Sequence, residues 1–284
     1  MPPPPSTLIV YRDGGVWLDL NRHRLASVRL LQWRPDFIPI DAEAERVDLL
    51  EPLPFETGSF DALYAYHVLE HLDLYEARRF LAECRRVLRP GGWLRVSTPD
   101  AIGHLRAYLE CLEAVRLCPD DRQLRVQLEF TRVLLLDQRV RRRSGGRMLE
   151  LLRTACVDRD LALRTHGLTG PWLLDVAKGM SSPAPRSGSS SRSALRAAIG
   201  KMRRLLARRR HRPWWSRDCR ETRELEITNW DEVSLVRELA AAGFVEATRS
   251  EAGSSRLPGW DDFDRCPRTA IDIERSAIAE GRRP

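Results

Sequence analysis

Between Phe60 and Pro99 the sequence spells out one complete crossover, and that unit limits the fold more than any other stretch. "FDALYAY" is rich in apolar and aromatic residues and follows a Gly-Ser turn, which reads as a strand. "LYEARRFLAECRRVL" sets Leu74, Ala77, Leu81, Val87 and Leu88 on one face and arginine and glutamate on the other, the mark of an amphipathic helix. "RPGG" ends it, because proline cannot continue a helix and paired glycines accept a turn. "WLRVSTP" is extended again. Strand, helix, glycine turn and strand make a right-handed crossover, and hence an α/β domain with a mostly parallel sheet.

The rest of the 284 residues divides around this unit. Residues 101–178 lose the alternation and read as several helices, with Val133-Leu134-Leu135-Leu136 as core. "SSPAPRSGSSSRS" (181–193) has the composition of a flexible linker. "WDEVSLVRELAAAGF" (230–244) returns to an amphipathic helix closed by Gly243. "VEATRSEAG" and "TAIDIERSAI" read as two further strands, so the sheet is expected to resume near residue 222. The expected organisation is an α/β domain from 1–100 and 221–284, interrupted by a helical insertion at 101–220.

Charge narrows the function. Residues 181–220 hold twelve Lys or Arg and one acid, Asp218, a net of +11 that leaves the remainder at −4 of the total +7. Basicity is local, so nucleic acid is not an expected partner of the whole chain. Within the basic stretch, residues 194–212 form a cationic amphipathic helix. Leu195, Ala198, Ile199, Met202, Leu205 and Leu206 lie on one face, and Trp214-Trp215 follow. Residues 194–215 therefore suit an anionic membrane surface, a helix packed on its own domain being the plain alternative. No run of about 18 apolar residues exists and the N-terminus lacks a signal-peptide pattern, so the expected location is cytoplasmic, with peripheral contact to the inner face of the membrane. Six scattered cysteines without C-x-x-C spacing read as reduced thiols.

His67-Val68-Leu69-Glu70-His71 matches H-x-x-E-H, the inverted zinc-peptidase pattern. That chemistry needs both imidazoles on one face of a continuous helix. Here "FDALYAY" is strand-like, which puts His67 at a strand end and His71 on the first turn of a short helix. No third ligand is spaced to complete a site. No metal is expected.

Residues 51–100, with "PLPF", "SFD", "HVLEH" and "LRPGG" in that order, closely resemble class I S-adenosylmethionine-dependent methyltransferases. The branch it is most similar to is often linked to cell-surface saccharide and natural-product pathways. "ITNWDEVSLVRELAAAGF" looks like that branch's late helix. The resemblance implies a doubly wound, Rossmann-like sheet of the seven-stranded type, and S-adenosylmethionine as cofactor. It implies methyl transfer to an oxygen or nitrogen of a small-molecule or glycan acceptor. Asp41 would accept the ribose hydroxyls and Asp48 with Leu49 would flank the adenine, against the plain reading of both acids as loop residues. His67 would face the methyl group or the acceptor. Glu70 and His71 would orient the acceptor, deprotonate it or hold a divalent cation, or would simply cap a helix and brace the sheet.

One departure is plain. The family's first strand ends in Gly-x-Gly, where a side chain would block the cofactor. "VWLDLNRHRL" offers Asn21-Arg22-His23 at that place, Asn21 tolerating positive φ. A second alignment uses "IVYRDGG", with Asp13-Gly14-Gly15 in the loop. A non-catalytic relative that binds a partner or a membrane surface is the alternative function.

Overall fold

A computed structural model describes residues 6–11, 28–33, 44–143, 145–167, 169–178, 218–220, 223–251, 253–258 and 276–284. Five parallel strands come first: β1 (Thr7–Tyr11), β2 (Val28–Trp33), β3 (Glu45–Val47), β4 (Phe60–Tyr66) and β5 (Leu88–Pro99). β6 (Val245–Ser250) and β7 (Ser276–Arg282) close the sheet in the order β3-β2-β1-β4-β5-β7-β6, with β7 antiparallel to both neighbours. The expected α/β sheet of the seven-stranded type is therefore what the chain forms.

The first strand is the one that the second alignment uses. "TLIVY" is buried throughout and pairs in parallel with β2 and β4, and a strand covered on both faces reads as a continuous apolar run. "VWLDL" carries Asp19, and it lies outside the described residues, as do Asn21 and Asp41. The neighbouring strand is Val28–Trp33, which ends eight residues before Asp41.

α1 (Leu74–Val87) is the expected helix. Its N-terminus is a capping box in which Asp73 accepts from Glu76 N at 2.8 Å and Glu76 accepts from Asp73 N at 3.0 Å. Asp73 thus takes the capping role that the sequence leaves open to Glu70 and His71. Ala77, Phe80, Leu81, Cys84 and Val87 pack on one sheet face with Leu8, Val10, Leu63 and Val96, joined by Leu235 and Leu239 of the late helix. The opposite face carries Ile9, Tyr11, Leu30, Ala62, Tyr64 and Tyr66.

"RPGG" does something more specific than stop α1. Leu88 already pairs with Phe60, and the ladder resumes at Trp93 with Ala62, so the four residues bulge out within β5. Gly91 has φ +82°, and a Cβ on Gly92 would lie 2.9 Å from Arg89 O and 3.0 Å from Asp61 O.

The insertion opens with α2 (Ala101–Leu117), α3 (Arg122–Val140), α4 (Gly146–Thr154), α5 (Arg159–His166) and α6 (Thr169–Ala177). Phe130, Leu152, Val157, Leu161 and Leu174 form its own small core. Of the apolar run in α3, Val133 and Leu134 are buried, whereas Leu136 is 54% exposed. The linker and basic helix expected at 181–193 and 194–212 lie outside the described residues.

The chain is back against the α/β body by Leu225, whose carbonyl meets His71, but the sheet itself resumes later than expected. Residues 224–230 form neither helix nor strand, α7 (Glu232–Ala241) follows, and the sheet resumes at Val245. The closing strand β7 is "SAIAEGR", which pairs with β5 and β6 and takes in the last three residues of the expected "TAIDIERSAI"; residues 269–275 lie outside the described residues.

Candidate active site

β1 lies between β2 and β4, so crossovers leave it in both directions and the carboxyl ends of these strands form the switch point of the sheet. Ligands bind open α/β sheets at such a switch point. The H-x-x-E-H segment leaves β4 at that end.

His67 follows β4 directly and takes φ +48°, a conformation uncommon for a residue with a side chain. Its backbone N–H donates to Ser97 O at 3.0 Å, and its Nε2 lies 2.9 Å from Ser276 Oγ at the start of β7. Leu69–His71 is a single 3₁₀ turn. His71 therefore sits, as expected, on the first turn of a short helix, which here is a single 3₁₀ turn following the strand end. Glu70 is only 2% exposed, and its Oε1 lies 3.6 Å from His67 Nδ1 and 3.8 Å from His71 Nε2. One carboxylate oxygen thus lies within reach of two imidazoles. Among the described residues no group of three or more His, Cys, Asp or Glu could hold a metal ion.

The carbonyl of Glu70 accepts from Ile227 N at 2.7 Å and from Thr228 N at 3.1 Å, and His71 Nδ1 donates to Leu225 O at 3.0 Å. The segment after the insertion therefore lies across the back of the motif. Of the three side chains His67 is the most open, at 18% against 8% for His71.

The insertion adds two histidines that no sequence motif marks. His104 of α2 donates Nε2–H to Thr165 O at 3.0 Å, and His166 stacks beside it with ring centroids 5.5 Å apart. Burial lowers the pKa of His104, with Asp100, Arg139 and His67 among the charges that act on it. Burial, aided by His104, takes His166 down to about 3. Both stay neutral near pH 7. A lone histidine on a helix gives no signal of function, and only the fold brings these two together.

At the carboxyl end of β3, Asp48 sits in an Asx turn, its Oδ1 accepting from Leu50 N at 3.1 Å. Asp48 is exposed, while Leu49 is buried in the core beside Val47 and Leu53. The expected adenine-flanking pair is thus one accessible carboxylate and one core residue. The Thr98 hydroxyl, near the end of β5, is buried with no hydrogen-bond partner among the described residues. An exposed, pre-set carboxylate and an orphaned buried hydroxyl at the strand ends suit a ligand with hydroxyl and amino donors, so this donor set fits S-adenosylmethionine.

Comparison with known proteins agrees with this geometry. The family model described as a methyltransferase domain matches residues 16–96. The chain is 42% identical over 67 residues to a probable S-adenosylmethionine-dependent methyltransferase of Mycolicibacterium smegmatis, covering 22% of this chain and 25% of that one. Over 53 residues it is 45% identical to a probable S-adenosylmethionine-dependent methyltransferase of Mycobacterium tuberculosis, covering 19% of each chain. Over 85 residues it is 44% identical to a phthiotriol/phenolphthiotriol dimycocerosates methyltransferase of Mycobacterium ulcerans, covering 27% of this chain and 26% of that one. The chain thus spans about a quarter or less of the curated relatives it matches. The methyltransferase SibL covers 99% of this chain and 51% of its own at 11% identity, but its TM-score of 0.37 gives that likeness no weight. What the chain shares with known proteins is thus a methyltransferase-domain match at 16–96 and local identity to S-adenosylmethionine-dependent methyltransferases. The domain match begins at Val16, beyond β1, so it covers β2 to β4 and most of β5.

Proposed function

We propose that this chain is a class I methyltransferase that binds S-adenosylmethionine at the carboxyl ends of its parallel strands. Its acceptor would be an oxygen or nitrogen of a small molecule or glycan. The observation that carries the reading is the coincidence of the methyltransferase-domain match at 16–96 with a switch point between β1 and β4 where His67, Glu70 and Asp48 stand near strand ends. When bound, the cofactor supplies a methyl group already activated by its sulfonium.

What the protein then contributes is alignment and proton handling. Asp48 would accept from the adenine amino group and Asp41 from the ribose hydroxyls. His67, the most open of the three motif side chains, would meet the acceptor and take its proton. Glu70 would hold the two imidazoles in orientation, and His71 would exchange a proton with Glu70. The acceptor class rests on the family resemblance. Residues 194–215 would hold the enzyme at an anionic membrane surface from the cytoplasmic side.

Titration calorimetry with S-adenosylmethionine and its demethylated product tests the reading. Saturable binding of both is expected. No detectable heat at millimolar cofactor would overturn it.

A further inference from the structure

We infer that Arg141 and Glu224 are positioning residues for His71, acting through the segment Glu224–Thr228. The inference deepens the methyl-transfer reading and rests on it for the kinetic arm of its test only.

His71 Nδ1 lies 3.0 Å from Leu225 O. A carbonyl oxygen only accepts, so Nδ1 carries a proton whatever the charge on the ring. The nitrogen that gains or loses a proton is then Nε2, 3.8 Å from Glu70 Oε1. Which nitrogen of His71 does chemistry depends on where Leu225 O is held.

Two rows of bonds hold it. On the motif side, Ile227 N and Thr228 N donate to Glu70 O, and the Thr228 hydroxyl donates to Leu72 O. On the insertion side, Glu226 N donates to Gln138 O at 3.0 Å, Cys219 N to Arg142 O at 3.1 Å, and Glu224 N to Cys219 O at 3.1 Å. The last link is between side chains: Arg141 Nη2 lies 2.6 Å from Glu224 Oε1, and the pair is nearly enclosed. A desolvated guanidinium–carboxylate contact tolerates little displacement.

The neighbouring Cys219 thiol is pushed up to about 11, by burial first and by Glu224 next. It stays neutral and brings no second anion to compete for Arg141. Around His71 itself, Asp73, Glu76, Arg220 and Arg223 line an adjoining cavity of about 280 Å³, and Glu70 lies on the other side, toward Nε2. The end of α3, in the insertion, therefore sets the tautomer of a histidine in the α/β body.

The test is the side-chain ¹⁵N spectrum of His71 in the full-length protein, followed from pH 6 to 9. Wild type should keep Nδ1 protonated throughout, with any titration at Nε2. Glu224→Gln, which keeps the shape and removes the charge, should admit the Nε2–H tautomer. Its kcat should fall by about a hundredfold, as misplacement of a catalytic group does, while KM for the cofactor holds within about threefold. Arg141→Lys, which keeps the cation opposite Glu224, should retain most of the wild-type pattern. An Nε2–H resting tautomer in wild type, or an unchanged spectrum in folded Glu224→Gln, would overturn the inference. Should Glu224→Gln not fold, Arg141→Met decides by the same spectrum. If wild type transfers no methyl group at all, the spectrum alone decides, so the two readings fail separately.

Discussion

Arg95 in β5 and Glu280 in β7 face each other across an antiparallel register, Nη1 to Oε1 2.6 Å, each only 1% exposed. Arg95 also donates to Ser250 Oγ, Ser254 O and Glu251 O, and Glu280 accepts from Arg256 N. A buried charged pair within the sheet thus holds Glu251, Ser254 and Arg256 onto it.

Removing one partner of a buried pair leaves the other charge uncompensated, at a cost of about 3–5 kcal/mol. Arg95→Met and Glu280→Met should each lose that much in urea unfolding. The Arg95→Met/Glu280→Met double variant should lose less than the sum of the singles. Additive losses would mean that the two charges do not stabilise each other.

Asp48→Asn isolates the carboxylate charge from the turn. Asparagine Oδ1 still accepts from Leu50 N, so the Asx turn survives while the negative acceptor is gone. Affinity for the demethylated cofactor should fall about ten- to a hundredfold, the worth of a hydrogen bond to a charged group. Calorimetry measures it, and unchanged affinity would remove Asp48 from the cofactor site.

Stability should depend on pH through His166 and His104. Both have folded pKa values below the ordinary 6.5, so the unfolded chain binds more protons once the pH drops below that value. Their stabilisation is complete above 6.5 and is lost as the pH falls toward about 3 for His166. The slope is at most ~1.4 kcal/mol per pH unit for each. Carboxylates held low, such as Glu83 beside Arg86, add to the loss only below about 4.5. Urea midpoints at pH 7.5 and 5.5 should therefore differ, and His166→Phe should shrink the difference. An equal difference in the variant would show that His166 titrates normally.

Residues 194–215 should carry the protein to vesicles containing anionic lipid and not to neutral ones. Each Lys or Arg near such a surface contributes about 1 kcal/mol, and the effect fades within a Debye length. Sedimentation with vesicles should weaken steeply with salt and vanish on charge reversal at Arg203, Arg204 and Arg208. Equal binding to neutral vesicles would exclude an electrostatic anchor.

Local pattern makes the central crossover legible: "FDALYAY" and "LYEARRFLAECRRV" reveal their period over a few residues, and Asp73 with Glu76 already writes a capping box. The H-x-x-E-H segment is legible as a strand end followed by a short turn, not as one continuous helix, because the strand before it cannot share a face with the turn after it. Periodicity cannot tell β1 from "VWLDL", since a five-residue strand buried on both faces has no alternation to detect. Nor does it mark "SAIAEGR" as a strand beside β5. Glu280 makes that stretch look polar until Arg95, 185 residues away in sequence, is placed opposite. The tertiary structure alone decides that Leu225 meets His71 and that Arg141 holds Glu224. Leu225 and His71 are 154 residues apart and Arg141 and Glu224 are 83 apart, and no local rule of spacing reaches so far.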